Sequence, residues 1–119
     1  MYTTVNSDLI NSYAWDTAIV YIQKFSNDSD YSRQDGDSIN SSLTNTGVNG
    51  DEVCKINDMA SNSLEWTTEY SSNPYSKYGY TSTARGGFYY GGGGYACSHN
   101  YISNPGSYKY FSFRSTLYM

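Results

Sequence analysis

The sequence predicts an α+β fold that is rich in loops, with one N-terminal helix and a small antiparallel sheet. Hydrophobic residues make up 38% and charged residues 15% of the 119 positions, both below the averages for globular proteins. Aromatic residues reach 18%, which argues against disorder. One segment carries apolar residues at helical spacing, and several others are rich in β-formers. A chain of this length can bury one modest core, so we expect residues 1–119 to form a single domain.

The helix is predicted from about Ser12 to Phe25. Apolar residues recur at the spacing of one helical face, at Ala14, Trp15, Ala18, Ile19 and Ile22. Asn11 or Ser12 can cap the first turn, and Asp16 lies favourably near the positive end of the helix. Trp15 is expected to be the main anchor of the helix in the core.

The strands are predicted after a polar loop region at 26–50. A short strand is expected over 53–56, and a second over Leu64–Glu69, because both stretches carry β-forming residues. Two more are expected at Ala84–Phe88 and Tyr110–Tyr118. The last segment alternates partly in polarity, as a terminal strand tied into a sheet does.

A stretch rich in glycine and tyrosine runs from Tyr75 to Tyr110, and most of it lies between the last two predicted strands. Nine of the fifteen tyrosines and eight of the eleven glycines fall between Tyr75 and Tyr110. We expect this stretch to be irregular. Antibody paratopes use the same residues, because tyrosine offers rigid contact area and glycine adapts the backbone. Catalytic pockets are built from a few convergent titratable groups, so the composition favours recognition over chemistry.

Charge and cysteine content exclude several classes of protein. The net charge is −4 and the seven Lys/Arg are scattered, which argues against a nucleic-acid partner. No apolar run is long enough for a bilayer, so membrane insertion is not expected. Residues 1–7 lack the features of a signal peptide. Cys54 and Cys97 can form one disulfide, but free thiols are the favoured interpretation.

Four short segments, in order, resemble motifs of the formylglycine-generating (sulfatase-modifying-factor) family. They are Leu9-Ile-Asn-Ser-Tyr-Ala-Trp-Asp16, Asn57-Asp-Met-Ala-Ser-Asn-Ser-Leu-Glu-Trp66, Ala84-Arg-Gly-Gly-Phe88 and Ser112-Phe-Arg114. The resemblance spans about residues 9–118 and implies a C-type lectin-like fold. The upstream part of the family domain has no counterpart, so we expect a domain truncated on its N-terminal side.

The resemblance favours the non-enzymatic branch of the family. Catalytic members bind copper through two cysteines downstream of Arg-Gly-Gly, at positions that fall near Gly91 and Ala96 here. Cys97 alone is nearby, and a single thiolate does not make the dithiolate site that copper(I) prefers. His99 is the sole histidine, so the histidine cluster of the iron-binding relatives is missing too. We therefore expect no enzymatic activity, with an oxidase or an inactive relative of one as the alternative.

The non-enzymatic relatives include variable proteins of diversity-generating retroelements, some of them receptor-binding proteins of phage tails. The resemblance implies a variable ligand-binding region at 84–118 and a cell-surface protein or glycan as partner. The domain would be displayed on a phage particle or a bacterial surface. The contact candidates are Tyr89, Tyr90, Tyr95, Ser98, His99, Asn100, Tyr101, Ser103, Asn104, Tyr108 and Tyr110, bordered by Tyr75, Lys77, Tyr78 and Tyr80. About half of them are expected to face outward, and a structural domain without ligand is the remaining alternative.

The resemblance also implies a structural calcium ion, although no cofactor is expected to be required. In relatives the matching segment holds calcium, and the corresponding positions here are Asp58, Ser61, Ser63 and Glu65. Hard oxygen ligands suit Ca²⁺. Under the alternative, Asp58 caps a turn and Glu65 hydrogen-bonds within the core. Ser61 replaces a family glycine, which weakens the case for calcium.

Two further groups of residues are expected to be structural. The core is predicted to contain Trp15, Trp66, Phe113 and Leu117. Arg85 and Arg114 lie where strands end, and they are expected to brace loops through several hydrogen bonds rather than to meet a ligand.

Overall fold

The computed structural model describes residues 6–39, 41–71, 81–90, 94–102 and 109–118. Its helices are α1 (Ser12–Phe25) and α2 (Gly36–Ile39), with a 3-10 turn at Tyr31–Arg33 between them. Its strands are β1 (Asn6–Leu9), β2 (Glu52–Val53), β3 (Ile56–Asn57), β4 (Leu64–Ser71), β5 (Thr81–Arg85), β6 (His99–Ile102), β7 (Phe111–Phe113) and β8 (Ser115–Tyr118). The α+β class is confirmed, with one long helix and small sheets in the described part of the chain.

Helix α1 has the predicted limits. The Asn11 side chain caps it by accepting a hydrogen bond from the Ala14 N–H at 2.8 Å. Trp15, Ile19 and Ile22 are buried along one face, as their spacing requires. Across the described residues, no helix is both long and apolar enough to cross a membrane.

The main sheet has four strands in the order β6-β5-β4-β7. Strand β4 confirms the prediction at 64–69 and continues to Ser71. It pairs antiparallel with β5, which pairs antiparallel with β6. Strand β7 pairs parallel with β4, so the sheet is antiparallel with one parallel edge.

The C-terminal segment forms two strands where one was predicted over Tyr110–Tyr118. Strand β7 joins β4, whereas β8 pairs antiparallel with β1, a strand that was not predicted. The change of partner occurs at Arg114, whose carbonyl accepts a hydrogen bond from the Ile10 N–H at 2.9 Å.

The predicted core is wrong at two positions on these strands. Phe113 is 69% and Leu117 is 72% exposed, because one lies on an edge strand and the other on a two-stranded ribbon. Trp66 is half-buried and stacks on Phe111, with ring centroids 4.4 Å apart. Trp15 is fully buried, as predicted.

Three local elements differ from prediction. The expected strand over 53–56 is a hairpin, in which Cys54 and Lys55 form the turn with φ of 53° and 63°. Positive φ at both central residues matches the twist of the paired strands, so the turn is stable without glycine. The strand expected at Ala84–Phe88 begins at Thr81 and ends at Arg85. The glycine-tyrosine stretch, expected to be irregular, contains β6.

A buried carboxylate organises the core beneath the sheet. The Asp51 carboxylate accepts hydrogen bonds from the Tyr31 hydroxyl at 2.8 Å and from the Ala60 N–H at 3.0 Å. It also accepts one from the Ser61 hydroxyl at 2.9 Å. Burial, followed by the nearby Asp51 charge, raises the pKa of Tyr31. The phenol therefore remains a donor, and the network fixes the segment that carries Met59.

Candidate functional site

Two neighbouring segments hold residues 94–98 in place. The Ala96 carbonyl accepts a hydrogen bond from the Trp15 indole N–H at 3.0 Å. The Ala96 N–H donates to the Gln34 carbonyl at 3.1 Å, so both backbone groups of this residue are bound. Ala96 is itself fully buried. The loop is therefore fastened to the core on two sides.

A tight turn completes this loop. The Ser98 N–H donates to the Tyr95 carbonyl at 2.8 Å, and the Tyr95 N–H donates to the Ser98 hydroxyl at 2.8 Å. The Cys97 N–H donates to the Ser32 carbonyl at 3.1 Å. These bonds restrain the backbone on which Tyr95 is presented.

The Arg-Gly-Gly motif lies under the loop and packs backbone against backbone. A Cβ at Gly87 would stand 1.9 Å from the Ala60 carbonyl oxygen. Gly86 has φ of +90°, and a Cβ there would stand 2.9 Å from the Trp15 ring. Glycine is required at both positions, since side chains would separate these segments.

Strand β6 continues from the loop along the edge of the main sheet. His99 pairs in register with Arg85, and Tyr101 with Thr83. The side chains of His99 and Tyr101 lie on the exposed face, with ring centroids 6.2 Å apart. The strand thus presents two aromatic rings on a hydrogen-bonded backbone.

Four of the eight contact candidates that the structure describes are exposed. Tyr90 is 68%, Tyr95 51% and Tyr101 53% exposed, and His99 is exposed as well. These four residues are called the tyrosine surface below. The other four are half-buried: Tyr89, Ser98, Asn100 and Tyr110. The remaining candidates, Ser103, Asn104 and Tyr108, and the bordering Tyr75, Lys77, Tyr78 and Tyr80, lie outside the described residues.

Two of the half-buried candidates have internal roles. The Ser98 hydroxyl accepts the hydrogen bond that closes its turn. The Tyr110 ring packs against Phe88 and Phe111, with centroids 5.6 and 5.0 Å away. Their contribution is to hold the exposed neighbours in position.

A cavity of about 370 Å³ lies between the first turn of α1 and the sheet. Glu69 on β4 accepts a hydrogen bond from the Ser12 hydroxyl, and its other oxygen lies 3.8 Å from His99 Nδ1. The carboxylate lies between the hydroxyl and the imidazole. A serine nucleophile needs the base beside it and the carboxylate behind the base, so this order does not make one. Sequence reasoning missed this cluster, because its three residues come from three distant segments.

Arg85 and Arg114 each pair with a carboxylate, but only Arg114 makes the several hydrogen bonds predicted, because Nε and Nη1 of Arg85 have no partner among the described residues. Arg85 is fully buried and bonds the Asp16 carboxylate on α1. Arg114 binds Glu65 through two nitrogens at 2.8 and 2.9 Å, and one of them also donates to a backbone carbonyl at 2.7 Å. Burial raises the pKa of Glu65, and the Arg114 charge offsets part of that rise.

Two of the four residues of the implied calcium site, Ser61 and Glu65, have their side chains engaged by other groups. The Ser61 hydroxyl donates to Asp51, and both oxygens of Glu65 are held by Arg114. One oxygen of Asp58 accepts from the Gly47 N–H at 2.9 Å. Over the residues that the structure describes, no three His, Cys, Asp or Glu side chains are gathered to hold a metal.

We therefore expect millimolar CaCl₂ to leave the melting temperature of the protein unchanged. The Arg114 guanidinium already neutralises Glu65, so calcium would have to displace it. Differential scanning calorimetry with and without Ca²⁺ measures this, and MgCl₂ serves as the control for ionic strength. A rise in Tm with calcium alone would show that the ion binds the folded state.

The positions that match the copper-binding cysteines of catalytic relatives are Gly91 and Ala96, and neither is a cysteine here. Cys54 is half-buried and Cys97 is exposed, and both are free thiols, as favoured from the sequence. Ala96 is buried with its backbone bound to the core, and Gly91 lies outside the described residues.

No family model, curated protein or solved structure matches the chain. The resemblance to the formylglycine-generating family therefore stays a prediction from four short motifs. The geometry of the tyrosine surface has to support any assignment of function.

Proposed function

We propose that this protein is a recognition module that binds a cell-surface protein or glycan through its tyrosine surface. It has no catalytic role in this proposal, and it acts on a phage particle or a bacterial surface. A C-type lectin-like scaffold, as the four motifs imply, would display this surface.

The observation that supports the proposal is the exposure of tyrosines on a restrained backbone. Tyr95 stands on a loop fastened to α1 and to the 32–36 segment, and Tyr101 stands on a paired strand. A side chain whose backbone is already ordered loses little entropy on binding. Tyrosine has two rotatable side-chain bonds and a hydroxyl, so it adds contact area at low cost.

The contrast between buried and exposed positions in residues 84–118 supports the proposal that this region varies. Ala84, Arg85, Gly86 and Gly87 are buried, and substitutions there disturb packing. The residues of the tyrosine surface are exposed, and substitutions there change the surface with little effect on stability. In the proposed region, the buried residues would therefore stay constant and support the fold, whereas the exposed residues would vary and contact the ligand.

Binding after alanine substitution tests the recognition function. The variant Tyr90→Ala/Tyr95→Ala/Tyr101→Ala is expected to lose at least about tenfold in affinity, because a few aromatic anchors dominate most interfaces. Binding is measured to a panel of immobilised bacterial surface glycans and envelope proteins. Tyr21→Ala, which removes a ring 48% exposed on α1, is the matched control.

Circular dichroism and the melting temperature establish that the triple variant is folded. Unchanged binding in a folded triple variant would contradict the proposal. So would a parent protein that binds no member of the panel. Either result would favour a structural domain without ligand.

Sequencing the gene from many sibling cells or phages tests the variable region separately. We expect adenine-directed differences after Arg85, at exposed positions such as Tyr90 and Tyr101, next to a reverse transcriptase gene and a template repeat. A uniform gene without these neighbours would remove the retroelement from the proposal.

A further inference from the structure

A second cavity, of about 240 Å³, lies at the opposite edge of the main sheet from β6. The 43–46 loop, the segment that runs from Asp58 into β4, and strand β7 enclose it. This space is called the Asp58 cavity. This volume is below the usual range for sites of drug-sized ligands, so it suits one small ring rather than an extended chain.

Asp58 lines this cavity, and its carboxylate has a buried, unsatisfied acceptor. Asp58 is only 4% exposed, and its Oδ1 has no hydrogen-bond partner among the described residues. Its Oδ2 accepts from the Gly47 N–H at 2.9 Å and from the Asn62 side chain at 3.2 Å, so the carboxylate is held in one orientation. A buried acceptor without a donor is unfavourable. A ligand that donates a hydrogen bond here would satisfy it.

Two aromatic rings form the wall beside this acceptor. Phe111 is stacked on Trp66 with centroids 4.4 Å apart and planes at 12°, which fixes its position. Phe113 lines the same cavity and is 69% exposed. An exposed large ring next to a polar lining offers an apolar contact to one face of a ligand.

The charges around the cavity balance. Asp58 and Glu65 each contribute −1, whereas Arg114, bound to Glu65, and Lys109 on the lining each contribute +1, which leaves no net charge. A neutral ligand therefore meets no net charge in the surroundings of the cavity. The other polar groups on the lining are neutral, mainly the side chains of Thr44, Thr46, Asn62, Ser63 and Ser112.

We propose that the Asp58 cavity binds one saccharide unit. A sugar ring has hydroxyl donors on its edge for Asp58 Oδ1, and hydroxyl and ring oxygens that accept from Lys109 and the neutral side chains. It also has an apolar C–H face that packs on Phe113. The site shares no residue with the tyrosine surface, so it is independent of the function proposed above.

Titration of the whole chain with single sugars in EDTA tests the site. The probes are glucose, galactose, mannose and N-acetylglucosamine, followed by saturation-transfer NMR and calorimetry. At least one of them is expected to bind saturably. Asp58→Asn and Phe113→Ala are each expected to weaken that sugar at least tenfold.

The two variants act on different parts of the site. Asp58 has φ of +58°, a conformation that asparagine adopts readily, and the asparagine oxygen can still accept from the Gly47 N–H. Asp58→Asn therefore replaces the free acceptor with a donor. Phe113→Ala removes an exposed ring and leaves the core intact, so it remains informative if Asp58→Asn fails to fold. Tyr21→Ala is the control and is expected to bind as the parent does.

Three outcomes would overturn the proposal. The first is that none of the sugars binds. The second is that binding appears only when Ca²⁺ replaces EDTA, which would make the cavity a cation site. The third is that Phe113→Ala and a folded Asp58→Asn both bind as the parent does, which would place the sugar elsewhere.

Discussion

Gly87→Ala is expected to lower the free energy of unfolding by more than about 3 kcal/mol, at or above the usual cost of overpacking. The new Cβ would stand 1.9 Å from the Ala60 carbonyl oxygen and 2.8 Å from that of Gly94. Both neighbours are backbone atoms, so no side chain can rotate away. The segments that carry Ala60 and Gly94 must move apart, which loosens the support of the tyrosine surface. Urea denaturation followed by tryptophan fluorescence measures the change.

Gly50→Ala is the matched control for Gly87→Ala. Gly50 has φ of +79°, but a Cβ there meets nothing within 4 Å. Only the cost of a left-handed backbone remains, about 1–2 kcal/mol. A Gly87→Ala variant no less stable than Gly50→Ala would show that the close packing under the Arg-Gly-Gly motif does not hold in solution.

The helix was the element best specified by local sequence. Its start follows from the Asn11 side chain, and its buried face follows from the spacing of Trp15, Ile19 and Ile22. Both signals lie within a few residues of the structure they determine. Strand β4 was predicted for a similar reason, because Trp66, Thr67 and Thr68 are consecutive β-forming residues.

The strands at the C-terminus could not be predicted in this way. Phe113 and Leu117 were predicted to lie in the core. Their burial depends on which strand each segment pairs with, and both are exposed. The segment changes partner at Arg114, whose carbonyl accepts a hydrogen bond from Ile10, more than one hundred residues away. Whether a strand lies at an edge, and which strand it pairs with, depends on tertiary structure. These contacts decide burial even where the pattern of apolar residues predicts a core position.

The candidate site was predicted by composition and corrected by geometry. The exposed tyrosines were expected, whereas β6 was not, because strand pairing uses backbone groups that glycine and tyrosine content does not reveal. The 94–98 loop is held by hydrogen bonds that Ala96 makes with Gln34 and Trp15, which are more than sixty residues away in the sequence. The Asp58 cavity combines residues from the 43–46 loop with β7, so local motifs pointed to Asp58 without showing its surroundings.

Arg114→Met is expected to lower the free energy of unfolding by about 3–5 kcal/mol at pH 7, the cost of leaving one charge of a buried pair alone. The Glu65 side chain is 9% and the Arg114 side chain 24% exposed. Removal of Arg114 takes away both hydrogen bonds to the carboxylate and one to the Asn57 carbonyl. Thermal or chemical denaturation measures the loss.

The loss in Arg114→Met should depend on pH. Burial already raises the pKa of Glu65 above its ordinary value of 4.5, and Arg114 offsets part of the rise. Without Arg114 the pKa rises further. A carboxyl whose pKa is higher when folded favours the folded state below its unfolded pKa and loses that contribution as pH rises through the folded pKa. The free energy of unfolding of the variant should therefore be closest to that of the parent at or below pH 4.5, and the difference should grow as the pH rises above 4.5.

The double variant Glu65→Gln/Arg114→Met separates the lost charge pair from the lost packing. It buries no carboxylate at this position, so the extra pH dependence should vanish while the cost of losing Arg114 contacts remains. Measuring the parent, both single variants (Glu65→Gln and Arg114→Met) and the double variant at pH 4.5 and pH 7 gives the coupling energy. If Arg114→Met costs the same at both pH values, Glu65 is reached by water in the variant, and the pair braces β4 to β7 through hydrogen bonds rather than through charge.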